Sequence, residues 1–379
     1  MILAGCASRI VRHPVPLDLA SEVHPIGMSA AIRAWGDGSS SDFQSEVTES
    51  LRQVRAAYGD QQARDILVLS GGGANGAFGA GLLCGWTASG KRPTFRVVTG
   101  VSAGAIIATF AYLGSSYDAQ LKELATKVSM QDVFVPKALA AALGSDSLSS
   151  TAPLVRLVER FYDQRVLDAV AAEHSKGRRL YVGTTNLDAQ RSVVWDMGAI
   201  ASHHSPQALS LFRQVILASS AIPIYFPPIY IDVEARGRKY DEMHVDGSII
   251  QQFVLYGYAV SPQSPGGATR PSAGPVPKVY AIRNGKIAPE PQAVTPGLFP
   301  IDNRAITTLT KSQAIGDIYQ AYAMTRVQGL DFNLAFIPDD FNMQGLQAIE
   351  EFDTRSMIAL FNCGYSLGRS DYPWRKTPP

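Results

Sequence analysis

Residues 66–81 read ILVLSGGGANGAFGAG: a run of strand-forming residues passes directly into a segment where six of the eleven positions from Gly71 to Gly81 are glycine. Few folds accommodate that passage. A short all-apolar run is the pattern of a strand buried on both faces, as in a parallel sheet. Gly71-Gly72-Gly73, followed by a helical pattern, leaves bare backbone N–H groups at a helix N-terminus, where the helix dipole also favours negative charge. Such a turn suits an anion: a dinucleotide pyrophosphate, a nucleotide phosphate or the oxyanion of an acyl-transfer intermediate. Glycine density alone does not choose among them. Gly71-x-Gly73-x-x-Gly76 satisfies the dinucleotide fingerprint, yet no strand ending in Asp or Glu follows about 20 residues on, where the ribose contact belongs. No Gly-Lys-Ser/Thr follows for a phosphate loop.

The same alternation runs along the chain. Strand-like runs at Ile66–Ser70, Phe95–Thr99, Arg179–Asn186, Ser192–Met197, Met243–Val245, Val279–Arg283 and Asn333–Ile337 alternate with helical patterns. Those patterns lie near Ala77–Ser89, Ala103–Leu113, Leu154–Tyr162, Gln207–Ser219, Arg304–Val327 and Thr354–Leu367. This predicts an α/β protein of three layers, α/β/α, around a largely parallel central sheet. Residues 7–41, rich in Pro, Ser, Gly and Ala, read as a tether or peripheral loop, and Ser41–Gly59 as a capped amphipathic helix. The expected organisation is therefore an N-terminal tether and helix over 1–60 and a catalytic domain over 61–379. In the latter, 64–250 bears the motifs and 251–379 forms a C-terminal extension. Ser261–Lys278, rich in Pro, Gly and Ser, reads as a long surface loop.

Charge and cysteine content exclude other classes. A net charge of +1 gives no global field for nucleic acid, and the short basic runs Lys176–Arg179 and Arg236–Lys239 read as solvated turns. Three cysteines form no disulfide framework and have no metal-ligand spacing; Cys84 and Cys363 read as core thiols. No metal and no cofactor is expected. No run of 18 apolar residues suggests a membrane span.

A second motif narrows the chemistry. Phe95–Gly114 reads as strand, then Gly100-Val101-Ser102-Ala103-Gly104, then an apolar helix. This is the G-x-S-x-G nucleophile elbow in strand-turn-helix context: flanking glycines allow a sharp turn that pushes the Ser102 hydroxyl out at a helix N-terminus. Such a serine needs a base. The α/β-hydrolase order ends in a late histidine, yet no histidine follows His244, and His203-His204 sit in a polar stretch suited to a turn before a helix. A standard triad is disfavoured. The remaining candidate is Asp246, at the end of a short apolar strand and followed by Gly247-Ser248.

Together, Gly71-Gly72-Gly73-x-x-Gly76, Gly100-x-Ser102-x-Gly104 and Asp246-Gly247 in that order resemble the patatin-like phospholipases. The segment ASSAIPIYFPPI, from Ala218 to Ile229, strengthens the resemblance, which spans about residues 64–250. It implies a patatin-like fold and a lipid acyl hydrolase, with a Ser102–Asp246 dyad in place of a triad. The oxyanion hole would be drawn from Gly71, Gly72, Gly73, Ala74, Asn75 and Gly76. Apolar residues of AIPIYFPPIY are candidates for an acyl pocket. Asn75 stands where the family usually has Arg or Lys, which puts a preference for anionic phospholipid in doubt, and Ser248 stands where Gly or Ala is common. The alternative is a patatin-fold binding or membrane-associated scaffold without turnover; the third reading is a dinucleotide-dependent oxidoreductase. At the N-terminus Leu3-Ala4-Gly5-Cys6 resembles a bacterial lipobox, making Cys6 a lipidation candidate. With a signal peptide ahead of Met1 the expected location is the bacterial cell envelope, lipid-anchored to a membrane surface; otherwise it is the cytoplasm.

Overall fold

Alternate residues of the strand Ile66–Leu69 enter two different hydrophobic cores. Leu67 and Leu69 belong to the larger, Ile66 and Val68 to the smaller. Leu180, Val182, Tyr280 and Ile282 repeat the first pattern and Tyr181, Val279 and Ala281 the second. Successive strand side chains point to opposite faces, so this division means that the sheet is covered on both sides. A computed structural model describes residues 11–38, 40–59, 63–133, 135–136, 147, 149–255, 275–341 and 353–379. Cys6 and most of the Ser261–Lys278 segment lie outside the described residues.

Twelve strands are described: β1 (His24–Pro25), β2 (Arg33–Trp35), β3 (Ile66–Leu69), β4 (Val97–Val101), β5 (Val135–Pro136), β6 (Ser149–Ser150), β7 (Arg179–Asn186), β8 (Arg191–Asp196), β9 (Ile229–Ala235), β10 (Arg238–Asp246), β11 (Lys278–Arg283) and β12 (Asp331–Phe336). Ten form one sheet in the order β1-β9-β10-β7-β4-β3-β11-β12, with β8 on the other edge of β7 and β2 beyond it; β5 and β6 pair separately. The run from β7 to β12 is parallel, and the strands added beyond β7 are antiparallel. One face carries α2 (Gly76–Ala88), α3 (Ala103–Leu113), α4 (Asp118–Lys127) and the helix Thr354–Arg369. The other carries Phe43 of α1 (Ser41–Tyr58) and Ile318 and Ala321 of the helix Leu298–Gln328. The predicted α/β/α architecture is therefore the observed one.

Three departures have physical causes. Residues 11–38 do not hang free: β1 pairs with β9 and β2 with β8. Strands of two and three residues are too short for periodicity to reveal. Lys176–Arg179 is not a solvated turn throughout, because Arg178 and Arg179 are 3% and 2% exposed. Arg178 donates to Glu173 at 2.6 Å and to the Phe95 carbonyl at 2.7 Å, while Arg179 donates to Glu46 of α1 at 2.8 Å. The pair bolts helices on both faces to the sheet. Arg236–Lys239, by contrast, is exposed in the β9–β10 hairpin, as expected. Finally, β10 begins five residues before the predicted Met243 and pairs along most of its length with β9, which sequence periodicity did not show.

The glycines divide into two groups. Those of α2 beyond Gly76 serve packing: a Cβ on Gly81 would stand 2.1 Å from the Phe361 carbonyl oxygen, and one on Gly364 of the facing helix 2.2 Å from that of Phe78. Gly85 and Gly368 continue the same close seam between α2 and the helix Thr354–Arg369.

Candidate active site

Strand register alone brings Ser102 to Asp246. On the edge of β7 away from β8, β4 pairs up to Val101 opposite Gly183, and β10 ends with Asp246 opposite Thr184, the next position along. The two strands meet end to end, and Ser102 is the residue that follows β4. Its backbone lies at φ 56° and ψ −129°. A non-glycine residue there holds about 1–3 kcal/mol of strain, which persists only where the surroundings impose it. Here a Cβ on Gly100 would come within 2.3 Å of the Gly104 carbonyl oxygen, and one on Gly104 within 2.5 Å of those of Leu69 and Ser70. Both glycines of the elbow are thus required by close backbone approach.

A segment whose role sequence reasoning missed fixes this junction. Ser102 N–H donates to Ser219 Oγ at 2.9 Å, and Ser219 O–H donates to the Gly183 carbonyl at 2.7 Å. Two residues on, the Ala221 carbonyl accepts from the Asp246 amide at 3.0 Å. One short stretch therefore holds the backbones of both residues. Its signal was present in the ASSAIP motif, but nothing local in the sequence says which backbone groups Ser219 and Ala221 meet.

Asp246 is 1% exposed. Its Oδ1 accepts from the Ser248 amide at 2.8 Å, whereas Oδ2 has no hydrogen bond of regular geometry among the described residues. Burial pushes the carboxyl from 3.8 up to about 6, with the Ser102 and Ser248 hydroxyls and the Ser248 amide opposing the rise. The Ser102 hydroxyl is thus among the groups that favour the ionised form of this carboxyl. His244, two residues earlier, is fully committed elsewhere. Its Nε2 lies 3.2 Å from Glu242, its Nδ1 3.0 Å from Thr184 Oγ1, and burial lowers its pKa. Ionised Glu242 can only accept, so a neutral His244 carries its proton on Nε2, and Nδ1 accepts from the Thr184 hydroxyl, which itself accepts from the Trp195 indole at 2.8 Å. A neutral imidazole with both nitrogens engaged is no base for Ser102. His203 and His204 are exposed in the turn before the helix Pro206–Ser219, as expected.

The glycine turn abuts this pair. A Cβ on Gly71 would lie 3.1 Å from Ser102 Cβ and 2.5 Å from Ser248 Oγ. Gly72 is seated against the Asn284 carbonyl, Ala74 packs into the larger core, and Gly73 and Gly76 line a pocket. Asn75, half-buried, does not line it, and its Oδ1 is buried without a hydrogen-bond partner among the described residues. The pocket opens to solvent, and with its open mouth included it spans about 740 Å³ of empty space. Ser102 lies on its wall among Ala77, Ile107, Leu121, Phe226 and Met357; Ser220 is the other residue of its lining with a polar side chain. Of the AIPIYFPPIY segment, Ile222 and Phe226 reach the pocket, while Ile229 and Tyr230 belong to β9.

The geometry defines an apolar cavity with one strained serine, a buried carboxyl behind it and a glycine turn at a helix N-terminus. The patatin-like phospholipase profile matches residues 67–256, just over half of the chain, and the chain belongs to that family. Among solved structures, VipD from Legionella pneumophila is similar at 14% identity and a TM-score of 0.36, over 81% of this chain and 66% of its own. The chain thus spans slightly less than two thirds of that protein's length. No curated protein matches the sequence.

Proposed function

We propose that the protein is a lipid acyl hydrolase in which Ser102 is the nucleophile and Asp246 the base. The observation that carries this reading is the meeting of β4 and β10 on one edge of β7, which sets a strained serine and a buried carboxyl side by side at an apolar pocket. Family membership supports lipid acyl hydrolysis as the general class of reaction.

Ionised Asp246 takes the hydroxyl proton as Ser102 Oγ bonds to the ester carbonyl carbon, and the acyl chain occupies the pocket. An ordinary aspartate is a weak base; raised to about 6, this one is stronger and still roughly nine-tenths ionised at pH 7. The oxyanion would accept hydrogen bonds from the Gly72, Gly73 and Ala74 amides, donors left free at the start of a helix. Losing one such donor typically costs about 3 kcal/mol. The Ser102 amide is not available for this, being bonded to Ser219. Collapse of the intermediate expels the alcohol, which leaves with the proton from Asp246, and water then cleaves the acyl-enzyme by the same route. The test is hydrolysis of a p-nitrophenyl acyl ester: turnover in the wild type that is lost in Ser102→Ala supports the reading, and a wild type no faster than buffer overturns it.

We also propose membrane anchoring through a lipid on Cys6, supported by Leu3-Ala4-Gly5 before it. Incorporation of labelled palmitate in cells that is lost in Cys6→Ser is the expected result; equal labelling contradicts it.

A further inference from the structure

Arg283 closes β11, and its side chain carries a buried charge with no ion pair to a carboxylate among the described residues. It is 9% exposed. Its Nη1 faces neutral acceptors: Gln252 Oε1 at 3.2 Å, and Ser70 Oγ and the Gly71 carbonyl oxygen at 3.4 Å each. Among the described residues Glu290 and Asp317 act on it only through longer-range charge, and burial lowers it to about 10. Burying a cation against neutral groups alone is costly.

We infer that Arg283 is a positioning residue for acyl transfer: together with the Ser70 hydroxyl, which donates to the Gly71 carbonyl at 2.7 Å, it holds that carbonyl so that the Gly72 amide faces the acyl site. This rests on the acyl-hydrolase reading above. The direction follows from sheet alternation. Val279 and Ala281 point into the smaller core and Tyr280 and Ile282 into the larger, so Arg283 leaves the sheet on the side of the smaller core. The pocket is on the other side, among residues of the larger core such as Ala77, Ile107 and Leu121. In a trans peptide the C=O and N–H point in opposite directions. A Gly71 carbonyl drawn toward Arg283 therefore turns the Gly72 N–H toward the pocket. A positive charge at the carbonyl end also polarises the peptide and strengthens that N–H as a donor.

The neighbouring residue secures the same turn. The Asn284 amide donates to Ser70 Oγ at 2.9 Å and its side-chain Nδ2 to the Ser70 carbonyl at 2.8 Å. A Cβ on Gly72 would meet the Asn284 carbonyl oxygen at 2.2 Å, so the turn is pressed directly onto the end of β11. Arg283 is not among the groups that shift Asp246. A positioning role of this kind acts on the transition state and not on the base.

The experiment compares steady-state hydrolysis of a p-nitrophenyl ester by the wild type, Arg283→Met and Arg283→Lys, each checked for native packing by near-UV circular dichroism. Arg283→Met is expected to lower kcat about 10- to 100-fold with KM within about two-fold, and to leave the pH limb near 6 in place. Arg283→Lys, which keeps a charge and a donor, should recover part of the loss. A folded Arg283→Met with wild-type kcat overturns the inference, as does a loss confined to KM or one that moves the pH limb. Should Arg283→Met fail to fold, Arg283→Lys decides alone: reduced kcat at unchanged KM supports the inference, and wild-type kcat overturns it. A wild type without turnover sinks the acyl-hydrolase reading and this inference with it. An active wild type matched by its Arg283 variants sinks this inference alone.

Discussion

At the scale of single residues, Asp246 sets function against stability. Its carboxyl binds a proton more readily in the folded chain, near 6, than at the ordinary 3.8. A raised folded pKa means that the group's contribution to stability is complete below about pH 4 and is lost as the pH rises through about 6. At 1.36 kcal/mol per unit, that loss is about 3 kcal/mol for a group buried this completely. Asp246→Asn is never ionised, and its amide oxygen still accepts from the Ser248 amide. It is therefore expected to unfold in urea at higher denaturant than the wild type at pH 8, by up to about 3 kcal/mol, with the difference vanishing near pH 4. On the proposed mechanism its turnover should fall nearly as far as that of Ser102→Ala, as expected of two groups acting as a unit. A stability difference independent of pH contradicts the buried, ionised carboxylate; near-wild-type turnover contradicts its role as base.

The same scale shows what a sequence carries and what it hides. Ser102 and Asp246 are legible because each sits in a local pattern, a turn between glycines and a carboxylate before glycine. Ser219 and Arg283 act on partners 117 and 212 positions away. No spacing rule reaches that far. Lys176–Arg179 misleads for the same reason: Arg178 and Arg179 find Glu173, Glu46 and buried carbonyls only once helices close over them.

Among the elements, α2 and the helix Thr354–Arg369 matter most, because α2 supplies both the start of the glycine turn's helix and, through Gly76, Ala77 and Ala80, one wall of the pocket. Their glycine seam sets that wall. Alanine is favoured over glycine in a helix by about 1 kcal/mol. At Gly81, however, the new Cβ would stand 2.1 Å from a backbone oxygen, whereas at Gly316 in the helix Leu298–Gln328 it meets nothing within 4 Å among the described residues. Thermal unfolding should therefore separate the two: Gly316→Ala gains about 0.5–1 kcal/mol, and Gly81→Ala loses about 1–3 kcal/mol as the helices are forced apart. Equal effects would refute the seam. The capped helix expected over Ser41–Gly59 was readable to within a residue: α1 runs Ser41–Tyr58, with Gly59 after it and Ser40, not Ser41, as its N-cap. The β9–β10 hairpin was not, because β9 follows the Pro227-Pro228 pair and its apolar residues passed for pocket lining.

For the whole molecule, the site depends on chain well outside residues 67–256. β11 lies between β3 and β12, delivers Arg283 and Asn284 to the glycine turn, and keeps β3 from being an edge strand. Met357 from the helix Thr354–Arg369 lines the pocket, and the N-terminal segment reaches the antiparallel end of the sheet through β1 and β2. The overall α/β/α arrangement was legible from the order of strands and helices. The completion of the site by distant segments was not, because it depends on strand order within the sheet.

The central claim is that Ser102 becomes covalently acylated, and trapping that bond tests it most directly. With a p-nitrophenyl alkylphosphonate followed by peptide mass spectrometry, we predict a single adduct on Ser102, formed faster as the pH rises through about 6 and absent in Ser102→Ala. An adduct on another residue, or undiminished labelling of Ser102→Ala, would contradict the account.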